Sequence, residues 1–234
     1  MTENLPAYVS TTFILTTFLT VGFFLYAVRS TVFETLPAKI IIASTAFWLI
    51  FQAVIAMAGF YQKTDVLPPR IFLAGVFPVL LLIILYFLFF RREFIERLPL
   101  RTLTLLHVIR VPVELVLFWL FQNRLVPEVM TFEGRNFDIL SGITAPVIFW
   151  LAFRGGKANR PLLIVWNILA LGLLANIVAT AVMAFPSPMQ RIAFDQPNLA
   201  IMYFPFNWLP AVVVPVVLFS HLASLWKLAV NKTS

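Results

Sequence analysis

Cysteine is absent from all 234 residues. That absence excludes disulfides, thiol catalysis, iron–sulfur clusters and thiolate-ligated zinc. Histidine occurs only twice, at His107 and His221. A metal site would have to be built from those two imidazoles and distant carboxylates. Charge is scarce as well: 12% of residues are charged, against about 25% in an average soluble domain. Neither His-Glu-x-x-His nor Gly-x-Ser-x-Gly occurs, so no hydrolase motif is present. No enzymatic activity is assigned from the sequence. The N-terminal MTENLPAYVS has no basic segment and no small-residue cleavage site before the first apolar run, so that run reads as a retained span.

What fills the chain is apolar. Hydrophobic residues make up 61% of it, Phe alone occurs 25 times, and mean hydropathy is +0.95. No soluble core can hide so much apolar surface, so lipid must be the solvent for most of it. Seven apolar stretches lie at about 7–28, 40–61, 70–90, 102–122, 139–154, 161–184 and 205–228. They are too long and too evenly apolar for the alternating segments of a β-barrel. The fold class expected is an all-α integral membrane protein, a single seven-helix bundle with no attached soluble domain.

Orientation follows from the basic residues, which accumulate on the cytoplasmic side. One set of breaks holds Arg29, Lys39, Arg91, Arg92, Arg97, Arg101, Arg154, Lys157, Arg160, Lys227 and Lys232; the other holds only Lys63, Arg70, Arg124, Arg135 and Arg191. With seven spans this places the N-terminus outside and the C-terminus in the cytoplasm. The expected location is a plasma (inner) membrane, crossed several times. The net charge of +7 is explained by the same bias, so nucleic acid is not an expected partner. The bilayer is one partner and a small molecule or ion is another, while oligomeric state is not legible. Two outer loops, 123–138 and 186–203, are aromatic and Met-bearing enough to fold over the outer mouth.

The fourth span carries most of the chemistry. RTLTLLHVIRVPVELVLFWLFQN places His107, Arg110 and Glu114 in one apolar run. At about 100° per residue they fall within one arc of roughly 60°. An Arg at a span centre costs about 2.5–3.5 kcal/mol to insert, so the arc must face the bundle interior. Arg110 and Glu114, four apart, could neutralise each other. Pro112 cannot donate to the carbonyl of Val108, and a bend is expected there. His107, His221 and Asn167 each lie six or seven residues from a basic residue at the cytoplasmic boundary, hence at similar depth, about 9–10 Å at the helical rise. Gln52 and Asn176 add polar groups on the second and sixth spans. The Thr run from Thr11 to Thr20 is expected to bond its own helix.

The function expected is binding or transport of a small solute in a polar cavity lined by His107, Arg110, Glu114, Gln52, Asn167, Asn176 and His221. Seven spans with an outside N-terminus also describe small sugar transporters built as three-plus-one-plus-three. In those the fourth helix is a linker, whereas here it carries the charges, so that likeness is one of architecture. No resident cofactor is required. The alternative is haem held axially by His107 and His221, in a membrane electron carrier. A third reading is a receptor or sensor without a chromophore, since retinal needs a lysine at depth and every lysine here lies at a span end or in a loop.

Overall fold

A computed structural model describes residues 5–230, apart from the side chain of Thr31. Residues 1–4 of the N-terminal segment and Lys232 of the charge count lie outside the described residues. Among the described residues every regular element is helical. Helix α1 is Ala7–Val32, α2 Leu36–Met57 and α3 Phe77–Phe89, the last entered through a π-helical turn at Phe72–Val76. Helices α4 (Leu100–Leu106) and α5 (Arg110–Gln122) form one span interrupted by a 3-10 turn at His107–Ile109. Helix α6 is Ile139–Phe153 and α7 is Arg160–Met183. Helix α8, Val214–Val230, is again entered through a π-helical turn, at Leu209–Val213.

Six of the resulting helical segments are long and apolar enough to cross a membrane: Ala7–Ser30, Leu36–Met57, Phe72–Phe89, Leu100–Gln122, Arg160–Met183 and Leu209–Val230. The chain is therefore a multi-pass membrane protein by the length and apolar character of its helices. The seventh apolar helix, α6, has 15 residues. At the helical rise it is about 22 Å long, short of a hydrocarbon core about 30 Å thick.

Local sequence explains where these helices start and break. The Thr35 side chain caps α2 by accepting from the amide of Ala38, and Asn159 caps α7 by accepting from Leu162. Thr16, Thr17 and Thr20 donate to the carbonyls four residues earlier and so satisfy themselves in the apolar interior. Prolines account for the interruptions. Pro78 follows one π turn by two residues and Pro215 follows the other in the same register. Lacking an amide hydrogen, they free the carbonyls of Ala74 and Ala211. An unpaired carbonyl in hydrocarbon is costly, and both are satisfied by α2. Gln52 Nε2 donates to Ala74 O at 2.9 Å, and Trp48 Nε1 donates to Ala211 O at 2.9 Å. Trp208 Nε1 donates in turn to Leu49 O, and Asn207 Nδ2 to Gln52 O. Trp48 and Trp208 thus serve the bundle interior, whereas Trp150 is 59% exposed.

The two long connections pack as a cap on the α5–α6 and α7–α8 ends. The amides of Leu199 and Ala200 both donate to Leu125 O, and Gln196 Nε2 reaches Phe121 O and Val126 O. Glu133 and Arg135 stay exposed on its surface, whereas Asn136 and Asp138 turn inward and are buried.

Candidate functional site

The span formed by α4 and α5 is the most enclosed of the six, with 61% of its apolar window buried, and its polar residues lie at the centre of the bundle. Pro112 explains the local geometry. Its missing amide breaks the α pattern, and the turn before it tightens to 3-10. Residues three apart nearly eclipse in a 3-10 turn. His107 and Arg110 are consequently brought onto one side, facing α7 and α8.

Arg110 is held from three directions. Nε donates to Asp138 Oδ2 at 2.7 Å and Nη2 lies 2.5 Å from Asp138 Oδ1, a two-pronged match of guanidinium to carboxylate. Both terminal nitrogens reach Ala170 O on α7 at 3.3 Å, and Nη1 is 3.2 Å from His221 Nε2 on α8. Guanidinium can only donate, so His221 Nε2 accepts. The His221 proton therefore sits on Nδ1, which donates to Asn167 Oδ1 at 2.8 Å. Asn167 Nδ2 continues to Leu163 O on its own helix. A row runs from Asp138 through Arg110 and His221 to Asn167, joining four helices.

The His107 ring stacks on His221 with centroids 3.9 Å apart and planes 20° from parallel, and meets Trp166 edge-on at 5.3 Å. Trp166 Nε1 is committed to Thr144 Oγ1. His107 is fully buried, and neither of its ring nitrogens has a hydrogen-bond partner. Buried polar groups are almost always paired, and this one lies against the ion-paired row.

Glu114 departs from the sequence reading. It does not pair with Arg110 four residues earlier. Asn136 Nδ2 donates to both its carboxylate oxygens, at 2.7 and 2.6 Å, and also to Met130 O. Asn136 Oδ1 accepts from the amide of Asp138, so a single loop residue positions both acids. Gln52 lies in a separate group, accepting from Tyr61 OH at 2.6 Å while it donates to Ala74 O. Asn176 is exposed and ties α7 to the 123–138 loop through Arg135 O. These two do not join His107, Arg110, Asn167 and His221. Asp138 and Asn136 were missed because they lie just outside an apolar run. The available signal was electrostatic: a buried Arg needs a carboxylate, and Asp138 stands directly before the apolar helix Ile139–Phe153.

Gly142, one turn beyond Asp138, allows the approach. A Cβ there would stand 2.8 Å from Val111 N and from Val111 Cγ2, so α6 rests directly on backbone beside Arg110. The haem alternative does not fit this geometry. Axial ligation needs a porphyrin plate between two imidazoles, and here the rings are in face contact with His221 Nε2 already engaged by Arg110.

The chain belongs to the family described as a domain of unknown function, DUF8737, whose model matches residues 68–229. That range holds every member of the polar row and leaves out α1 and α2. No curated protein and no solved structure matches the chain.

Proposed function

We propose that this protein is a seven-span bundle, N-terminus outside and C-terminus cytoplasmic, in a plasma (inner) membrane. Its central polar site on the fourth span binds or moves a small solute in a proton-linked manner. The excess of basic residues at one set of helix ends supports the orientation. A tilted or locally thinned environment accommodates α6 as the short span.

The observation that carries the functional reading is His107, buried with both nitrogens unpartnered against the row Asp138–Arg110–His221–Asn167. A bundle that needed Arg110 and Asp138 only as glue gains nothing from an unsatisfied imidazole beside them. Ionisable groups inside a membrane mark ion paths and proton relays as a class. In this site Arg110 offers a fixed positive charge for a carboxylate or similar anion, the unpartnered His107 offers a proton acceptor stacked on His221, and the broken turn at His107–Ile109 supplies the hinge.

The test is proton movement in liposomes that contain the purified protein and an internal pH dye. An imposed pH gradient is applied alone and with a panel of small carboxylates, amino acids and phosphate. The expected result is a flux, alone or with one solute, that His107→Phe and His221→Asn abolish while the protein remains folded. Absence of flux throughout the panel, with both variants as stable as the parent, would refute the proposal.

A further inference from the structure

On the opposite side of α8 from His221 lies a second feature that shares no residue with the polar row. A cleft of about 350 Å³ lies between α1, α2, α3 and α8, lined among others by Phe24, Trp48, Val79, Tyr86, Val212 and Phe219. This is the lower end of the size range of small-molecule sites, about 300–1,000 Å³. It opens because the α2 and α3 backbones approach each other at few points, the two spans being joined instead by side-chain bonds, Gln52 to Ala74 O and Tyr86 to Pro37 O.

Every polar side chain on its wall already makes a hydrogen bond. Ser44 Oγ and Thr45 Oγ1 donate to Ile41 O, Trp48 Nε1 to Ala211 O, and Tyr86 OH to Pro37 O. No side-chain donor on the wall is left free. A polar ligand would lose its hydration there and gain nothing, whereas hydrocarbon loses nothing. The wall reaches the lipid-facing surface at Phe47 and Leu82, 67% and 39% exposed, so entry is from the bilayer. The bond from Tyr86 to Pro37 marks the cavity floor. Lys39, two residues from that bond on α2, and Arg91, just past α3, stand at the same end, where a phosphate headgroup would lie.

We propose that this cavity is a binding site for one acyl chain of a membrane phospholipid. The lipid comes from the leaflet at the Lys39 and Arg91 end, its headgroup remaining at that boundary. Bound there, the chain packs against the α8 face opposite His221 and fills the gap between α2 and α3.

Photolabelling tests this. The full-length protein is placed in phosphatidylcholine nanodiscs with a small fraction of a phosphatidylcholine bearing a diazirine mid-chain, and adducts are mapped by peptide mass spectrometry. Adducts are expected to concentrate several-fold on Phe47–Leu49, Val79–Ile83 and Val212–Phe219, relative to the exposed α7 face at Ile168 and Leu169. They should saturate as the probe fraction rises. Val79→Trp should cut them several-fold, and Leu169→Trp should leave them unchanged. Equal labelling of cavity and α7 face, or labelling that rises linearly without saturation, would overturn the proposal. The saturation measurement needs only the parent protein and decides the matter even where Val79→Trp fails to fold.

Discussion

The ion pair between Arg110 and Asp138 allows a double-mutant cycle that separates this structure from the simpler arrangement suggested by sequence spacing. The side chains of Arg110 and Asp138 are 2% and 7% exposed and meet through two contacts, at 2.7 and 2.5 Å. Removing one partner leaves a charge in a dry interior, a loss of about 3–5 kcal/mol. Asp138→Asn should therefore destabilise the protein by that amount, and so should Arg110→Met. The double variant leaves neither charge, and replacement of a whole buried pair is often close to neutral. The cycle should thus give a coupling of about 3 kcal/mol or more, at the top of the range for contacting residues. The same cycle on Arg110 and Glu114 should give less than about 1 kcal/mol, because Asn136 holds Glu114 by two hydrogen bonds. The assay is equilibrium unfolding in mixed micelles of mild and denaturing detergent, read by circular dichroism. A larger coupling for Arg110–Glu114 than for Arg110–Asp138 would refute the reasoning.

Further outcomes follow from the same geometry. Trp48→Phe leaves Ala211 O without its donor and should cost about 1–3 kcal/mol; Gln52→Leu strands both Ala74 O and Tyr61 OH and should cost at least as much, each measured by detergent unfolding. Gly142→Val pushes α6 off the Val111 backbone, and should lower the melting temperature and shrink the Arg110–Asp138 coupling, at an overpacking cost of about 1–3 kcal/mol. His107→Phe keeps the stacked ring and removes two unpartnered nitrogens, so stability should stay within about 1 kcal/mol of the parent or rise. The visible spectrum of protein purified after expression with ample haem should show no Soret band, before or after dithionite, because stacked imidazoles leave no place for the plate.

The helical class and the burial of the polar residues on the fourth span were legible because both follow from cost. Long apolar runs have no other solvent than lipid, and charges inside such a run must be sheltered. Pro112 could be read the same way, since a missing donor is visible in one letter, although the 3-10 form of the break was not. Partner choice was hidden. Spacing of four on a helix suggested Arg110 with Glu114, but the fold supplies Asp138 and Asn136 from a loop, which no periodicity reports. Gln52 illustrates a different limit: its polarity was visible, while the carbonyl it serves lies on another helix, freed by a proline 26 positions away in the chain. Depth along the spans related His107, His221 and Asn167, yet nothing in the letters foretold that the two rings lie face to face.

The way α2 services the broken helices bears on what counts as an independent unit here. Trp48 and Gln52 stand one helical turn apart and close the two backbone gaps left by Pro215 and Pro78. Those prolines lie inside the family segment 68–229, and their donors lie outside it. The segment that defines the family is therefore smaller than the smallest stretch able to satisfy its own main chain in lipid. A protein cut at its boundary would carry two orphan carbonyls into hydrocarbon, and any relative sharing both prolines must supply equivalent donors from a preceding helix, a bound lipid headgroup or a second subunit.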